Sequence, residues 1–384
     1  MTEAGRAKSR ILFPYVGDTI GGSHFSSSLL IQALQQSEEF EPVVALHQMD
    51  GPLLPWLQAR GIQPIHIPLH RFVSGNPKHP LRQLLTWLRI TLPLSRELKK
   101  LNVQIVHTND LRMHFSWLWA AKLAGVLHVW HKRNRRNEGR FWGTIMRLPD
   151  QVLGVSEYTL GGFRKWLSPE RAVAIDNPFV LPPNEKLAGA RERILEVLGA
   201  TQDERIIITI GTVSRSKRSE FFIRVCAEIH AKSRHACRFV ILGRTNGKEA
   251  ELQALAESLG IADRLLVAGF RNDVEDWIAG ADLLISPSVD EPLGRSIIEA
   301  MLLGTAVIAS DSGGNREIIT DAALGTLVPL DDLQGFTDSA VNLLDSSEML
   351  DSMTTAARHY SRNRFSLETH AAAVMQIYRS MQKR

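Results

Sequence analysis

The stretch Ser286–Glu317, SPSVDEPLGRSIIEAMLLGTAVIASDSGGNRE, decides how this chain folds. Just before it, Leu283-Leu284-Ile285 reads as a buried strand, and Ser286-Pro287-Ser288 as the turn that ends it. The loop Glu291-Pro292-Leu293-Gly294 leads to Ser296, which opens a helix running to Leu303. A second β-branched run, Ala306–Ala309, follows. Strand, helix and strand of these lengths form a βαβ unit, and such units imply a parallel sheet.

The rhythm extends both ways along the chain. In the second half Arg205–Ile210, Arg238–Leu242, Arg264–Val267 and Gly325–Val328 read as further strands, and Glu220–Lys232, Glu249–Leu259 and Leu333–Leu344 as helices. In the first half the strands are Arg10–Val16, Pro42–His47, Pro64–Ile67, Gln104–His107, Leu127–His131 and Gln151–Val155. Periodic helical stretches at Ser26–Gln35, Leu81–Leu101 and Ser116–Ala124 separate them. The expected fold is α/β, with two doubly wound Rossmann-like domains facing across a cleft. Ligands of open parallel sheets bind beyond the carboxyl ends of the strands, so two facing sheets put a site in that cleft. The proline-rich Asn177–Asn184 (NPFVLPPN) is the expected linker. The domains are therefore 1–180 and 181–365. The helix 366–384, with Ser366 as N-cap, is expected to pack back on the first domain.

Composition narrows the class. Hydrophobic residues make up 44% and charged residues 22% of the 384, as in ordinary globular proteins. No run approaches the ~20 apolar residues of a membrane helix. Ile11-Leu12-Phe13 is too short for a signal-peptide core, so a cytoplasmic protein is expected. Cys226 and Cys237 then read as reduced thiols, Cys226 buried in an amphipathic run. Residues 1–180 carry 22 Lys and Arg against 13 Asp and Glu, whereas 181–384 carry 23 against 28. Net charges of +9 and −5 mean that one half faces an anionic partner.

Glycine lets backbone amides approach a ligand, and a helix N-terminus offers unpaired N–H groups with partial positive charge. The loop before Ser296 is thus suited to phosphate. Glu291 and Glu299 bracket it, eight positions apart. Carboxylates there would repel a phosphate directly. They make better sense accepting from hydroxyls on either side, a sugar on one and a ribose on the other. The plainer alternative is a helix cap at Glu291 and a solvated Glu299.

The segment resembles the E-x7-E region of glycosyltransferase family 4, enzymes of the GT-B fold. It matches at Glu291, Gly294, Glu299-Ala300-Met301, Gly304, Asp311, Gly313-Gly314 and Glu317. The resemblance implies that Glu299 accepts from ribose hydroxyls and that Glu291 touches the transferred sugar near the reacting centre. Amides around Leu293-Gly294-Arg295 would hold the distal phosphate. Arg295 adds charge there or forms a surface salt bridge.

Other segments extend the resemblance. The family carries Gly-Arg and then a lysine to neutralise the diphosphate. Here Gly211 and Lys217 match, Thr212 replaces the arginine, and Arg215 or Arg218 supplies the charge. Gly269-Phe270-Arg271 resembles the turn near the nucleobase, with Arg271 reading a base edge. Gly21-Gly22, before the first helix, resembles the loop facing the diphosphate. His131, at a strand end, corresponds to a histidine that contacts the donor sugar; His107 and Asn109 stand at another strand end. Lys132–Arg140 (KRNRRNEGR), followed by Phe141-Trp142, together with Arg147, Lys99-Lys100 and Arg164-Lys165-Trp166, forms a basic, aromatic-bearing surface. It fits an anionic membrane or a polyprenyl-diphosphate acceptor better than nucleic acid, for which no motif is present.

The implied enzyme is a retaining glycosyltransferase that takes a sugar from a nucleotide-diphosphate donor, in polysaccharide or lipopolysaccharide synthesis. Its acceptor hydroxyl belongs to a lipid-linked or polysaccharide glycan, and its place is the cytoplasm or the inner face of the membrane. No Asp-x-Asp motif is present, so no metal or other cofactor is expected. The rivals are a sugar-nucleotide epimerase, which needs acid/base residues beside the sugar, and a non-catalytic sugar-nucleotide binder. A dinucleotide oxidoreductase lacks its fingerprint, because Gly17–Gly22 supplies no G-x-G-x-x-G.

Overall fold

A computed structural model describes residues 7–73, 80–133 and 144–383. The chain forms two compact units, one made of Met1–Pro178 and Leu367–Arg384, the other of Phe179–Ser366.

The first unit is built on a seven-stranded sheet in the order β3-β2-β1-β4-β5-β6-β7. Its strands are β1 Ser9–Tyr15, β2 Phe40–Leu46, β3 Ile65–His66, β4 Val103–Thr108, β5 Leu127–Lys132, β6 Gln151–Gly154 and β7 Ala172–Ala174. Every pairing is parallel, for example Leu12↔Val43 and Trp130↔Val152. Alternation along each strand feeds two separate cores. Leu12, Val106, Trp130 and Val152 face one. Ile11, Phe13, Ile105, Val129 and Leu153 face the other. Apolar residues on both faces are what a sheet covered by helices on both sides requires.

The helix Leu367–Gln382 completes the second of these cores. Ala371, Val374, Tyr378 and Met381 recur at helical spacing and are buried there. Tyr378 meets Phe40 edge-on, and its hydroxyl lies 2.5 Å from His107 Nδ1. Arg379 holds Glu39 with two hydrogen bonds.

The second unit has a six-stranded sheet in the order β10-β9-β8-β11-β12-β13. These strands are β8 Arg205–Ile210, β9 Cys237–Leu242, β10 Leu265–Gly269, β11 Leu283–Ser286, β12 Ala306–Ser310 and β13 Thr326–Val328, all in parallel pairs. Ile207, Phe239, Leu283, Ile285 and Ile308 share its core with the helices Ser219–Lys232 and Leu333–Leu344. Cys226 and Cys237 are buried free thiols, and burial pushes both pKa values up.

In each sheet the order reverses beside its first strand, between β1 and β4 and between β8 and β11. Ligand crevices in such sheets open outside the strand carboxyl ends at this reversal. In the second unit that point lies at Gly211 and Ser286; in the first it lies at Val16 and Asn109.

Several helices start earlier than the periodicity indicates. The helix expected from Ser116 begins at Leu111, because Asp110 caps it by accepting from Met113 N–H at 2.9 Å. The first helix begins at Gly22 rather than Ser26, and the motif helix at Arg295 rather than Ser296. β7 went unread because three residues carry no period. Among the described residues, no helix is long and apolar enough to cross a membrane.

Candidate active site

The loop between β11 and the helix Arg295–Leu303 is held by backbone laid directly on backbone. Gly314 N–H donates to Glu291 O at 2.8 Å. A Cβ on Gly314 would stand 2.5 Å from Pro292 O, and one on Gly313 would stand 2.6 Å from Glu291 O. Gly313 also has φ +61°, where other residues are strained. The glycine pair of the motif therefore shapes the Glu291 loop. Asn315 finishes the support, donating to Ser310 O at 3.1 Å, while Ser312 Oγ accepts from Asp290 N–H at 3.2 Å.

A second contact brings the basic turn alongside. Val289 N–H donates to Ser216 O at 2.8 Å, tying the loop after β11 to the turn after β8. Next to this bond, Lys217 Nζ pairs with a Glu291 carboxylate oxygen. The stem of Lys217 runs over Gly211, where a Cβ would come within 2.8 Å of the lysine Cδ and Cε. A side chain at Gly211 would push aside the lysine stem that reaches Glu291.

Glu299 lies one turn beyond Arg295, and the two pair at 3.1 Å. Burial raises the Glu299 carboxyl, while Arg295 and, more weakly, Lys217 lower it. Lys217 therefore acts on both glutamates. Arg295 also stacks on Phe179, 4.7 Å from the ring centre, and Leu293 and Gly294 are buried at the start of the helix.

The remaining cations divide. Arg218 pairs with Asp331 and lies over Phe221, so its charge is spent. Arg215 and Thr212 are exposed, and Arg215 forms no ion pair among the described residues. Arg215 therefore keeps its charge unpaired among the described residues. Arg271 is held by Asp273 at 2.7 and 2.9 Å. That bidentate pair occupies the guanidinium expected to read a base. The exposed neighbour Phe270, with Arg244 5.4 Å from its ring centre, offers a stacking face instead.

In the first unit, Gly21 caps the helix Gly22–Gln35, and its N–H donates to His24 Nδ1 at 3.0 Å. Gly22 is exposed at the first helical position, and Asp18, four residues earlier, pairs with Arg112 at 2.7 Å. His131, at the end of β5, is wholly buried. Its Nδ1 lies 3.2 Å from Arg133 Nη2. A guanidinium has no lone pair to offer, so Nδ1 is the acceptor and the imidazole proton sits on Nε2. Arg133 Nη2 also donates to Asn109 Oδ1 at 2.8 Å, and Nη1 donates to Asn177.

The imidazoles of His107 and His370 flank that of His131, with ring centres 5.5 and 6.0 Å away. Burial, reinforced by Arg133, drives His107 and His131 well below the usual histidine range, and His370 to about 4. Nε2 of all three, and Asn109 Nδ2, are buried without a hydrogen-bond partner. Arg133, Asn177 and His370 were missed from the sequence, since no spacing links positions this far apart.

The basic surface needs correction. Lys132 is buried, its ammonium about 6 Å from the ring centres of Trp130 and Phe163, and Arg133 turns inward as described. Arg164 pairs with Glu157. Arg135, Arg136, Arg140, Phe141 and Trp142 lie outside the described residues. Exposed Trp166 does stack under Arg147, at 4.1 Å.

Residues 190–360 match the family described as glycosyl transferases group 1. A D-inositol 3-phosphate glycosyltransferase of Xylanimonas cellulosilytica is 31% identical over 353 residues, covering 84% of this chain and 83% of that protein. The lipopolysaccharide glucosyltransferase WaaG of Escherichia coli is 26% identical over 211 residues, 51% of this chain and 55% of its own length. Among solved structures, a Rickettsia africae glycosyltransferase superposes with a TM-score of 0.82 at 20% identity, over 98% of this chain and all of the other. Anabaena HepE, solved with UDP and glucose, gives 0.77 at 19% identity, over 97% of this chain and all of HepE. With two doubly wound sheets, a matching family region and a relative aligned over most of both chains, the protein is a glycosyltransferase and belongs to group 1.

Proposed function

We propose that this glycosyltransferase is a retaining enzyme of family 4 type that takes its sugar from a nucleotide-diphosphate donor. The observation that carries the reading is Lys217 joined to Glu291 beside the glycine-hinged start of a helix, with Glu299 one turn further on. Lysine, exposed Arg215 and helix-end amides form a cationic rim for a diphosphate. Glu299 accepts from the ribose and Glu291 from the sugar. HepE, a neighbour in fold, was solved with UDP and glucose, which supports a donor of this chemistry.

In the proposed reaction the bond from the anomeric carbon to the diphosphate oxygen breaks as Lys217 and Arg215 stabilise the departing charge. The acceptor hydroxyl forms its bond on the same face and gives its proton to a phosphate oxygen. Preorganised charge of this kind contributes several kcal/mol to the barrier. Since the chain's own cations fill this role, we expect turnover without a metal. In the first unit, Arg133 fixes His131 as an Nε2–H donor, suited to a sugar hydroxyl once the ring is uncovered. The acceptor is a glycan hydroxyl, polysaccharide or lipid-linked, and the lipid-linked kind brings the enzyme to a membrane surface. The relatives named for inositol phosphate and lipopolysaccharide substrates support acceptors of this breadth.

The direct test is turnover on a panel of sugar nucleotides with product configuration read by NMR. A product anomer opposite to that of the donor overturns retention. A panel that leaves the melting temperature unmoved overturns the donor, because binding must stabilise the folded state.

A further inference from the structure

The helix Pro80–Lys100 is apolar on two sides: Trp87, Ile90, Leu94 and Leu98 are buried in the core, and a second set of leucines faces outward. Its polar residues Gln83 and Thr86 are 8% and 7% exposed, while Leu81 and Leu88 are 75% and 68% exposed. Leu84, Leu85 and Leu92 continue the open stripe at helical spacing, so an apolar ridge runs for about 16 Å at 1.5 Å per residue. Leu123, on the helix Leu111–Ala124, is also exposed, and a groove floored by Trp87 and Trp119 runs along the ridge. A contiguous apolar surface of this kind marks an interaction site.

Charge identifies the partner. Arg82, Arg89 and Arg96 recur every seven residues and so form a row along one edge of the leucine stripe. No Asp or Glu occurs from Leu81 to Arg96, and these arginines form no ion pair among the described residues. Beyond Arg96, Glu97 pairs with Lys100 at 3.5 Å, and Lys99 adds a further cation. A second copy docked on this face would set arginine rows close together, which disfavours a dimer. An anionic plane with an apolar layer beneath it complements both features at once.

We propose that the exposed face of the helix Pro80–Lys100 lies on an anionic lipid surface, with the leucines in the acyl boundary and the arginines at the headgroups. This rests on the lipid-linked acceptor in the proposed function and names the surface that brings the enzyme to it.

The test is flotation of the full chain with vesicles of phosphatidylcholine containing roughly one third phosphatidylglycerol, against phosphatidylcholine alone. The wild type is expected to float only with the anionic vesicles, less so at high salt. The exposed double variant Leu85→Glu/Leu88→Glu should lower partitioning about tenfold or more. Arg82→Gln/Arg89→Gln/Arg96→Gln should remove most of the salt dependence. Both variants should keep the sugar-nucleotide-induced rise in melting temperature, which tells a fault in this face from a fault in the donor reading. Wild-type partitioning by the leucine variant overturns the proposal. So does a vesicle-free dimer that the leucine variant converts to monomer, which would assign the face to a second copy.

Discussion

The two sheets end in opposite kinds of chemistry. Past β8 and β11 the second unit sets charge against charge, Lys217 on Glu291 and Arg295 on Glu299, on loops shaped by glycine. Past β4 and β5 the first unit buries neutral imidazoles around one guanidinium. In the proposed function the former would act by field and backbone, the latter by hydrogen-bond direction. The same Rossmann order therefore carries charged loops in one unit and hydrogen-bonded imidazoles in the other.

The widest gap between the halves should show on removing the lysine. Lys217→Ala leaves Glu291 without its partner and takes a cation from the proposed diphosphate rim, so kcat/KM should fall about 100- to 1,000-fold. Steady-state kinetics with the best donor checks this, and a loss below tenfold would break the electrostatic assignment. If chelator abolishes wild-type turnover, the cations are not sufficient by themselves.

Next in size is the backbone support. Gly313→Ala combines positive φ with a clash against Glu291 and should cost about 2 kcal/mol, with a matching loss of activity. Gly61 is its control: φ is also positive at +73°, but nothing lies within 4 Å of the added Cβ. Alanine there should cost about 1 kcal/mol and leave activity unchanged. Denaturant midpoints and kinetics on both variants separate strain from the clash at the site.

The imidazole half predicts a pH dependence. His370 and His128 are held neutral by burial, with pKa values of about 4 and 3. Below about pH 6.5 the unfolded chain binds protons on them that the folded protein refuses, so their effect favours unfolding increasingly as pH falls toward 4. Urea midpoints at about pH 7.5 and 5.5 should drop accordingly. Replacing His370 by Gln should make the drop shallower, and an unchanged slope would break the assignment. The smallest effect belongs to Arg271→Ala. Its partner Asp273 is solvent-exposed, so stability should change by less than about 1 kcal/mol, and donor affinity by about twofold at most.

What was legible in the sequence follows the same division. Period and β-branched runs display the alternating fold, because strands covered on both faces are predominantly apolar. Glu291, Gly294 and Glu299 stand close together in one segment, and the structure adds that Gly313-Gly314 serves the loop. The Lys217–Glu291 contact needed coordinates, since it depends on the Val289–Ser216 backbone bond. Nor could the sequence show that Arg271 is engaged by Asp273, or that Lys132 turns inward, because charge patterns carry no direction. His131 was readable as a strand end, but its neighbours Arg133, Asn177 and His370 meet only through the fold.

The helix Leu367–Gln382 has a consequence for biosynthesis. It fills the core of the first unit, yet a ribosome makes it after the whole of the second. During translation the opening half of the protein must wait with Phe40 and His107 uncovered, while the later half can already close. A nascent chain halted before residue 367 would expose this greasy seam, an invitation to chaperones, and only synthesis of the helix Leu367–Gln382 lets the seam shut.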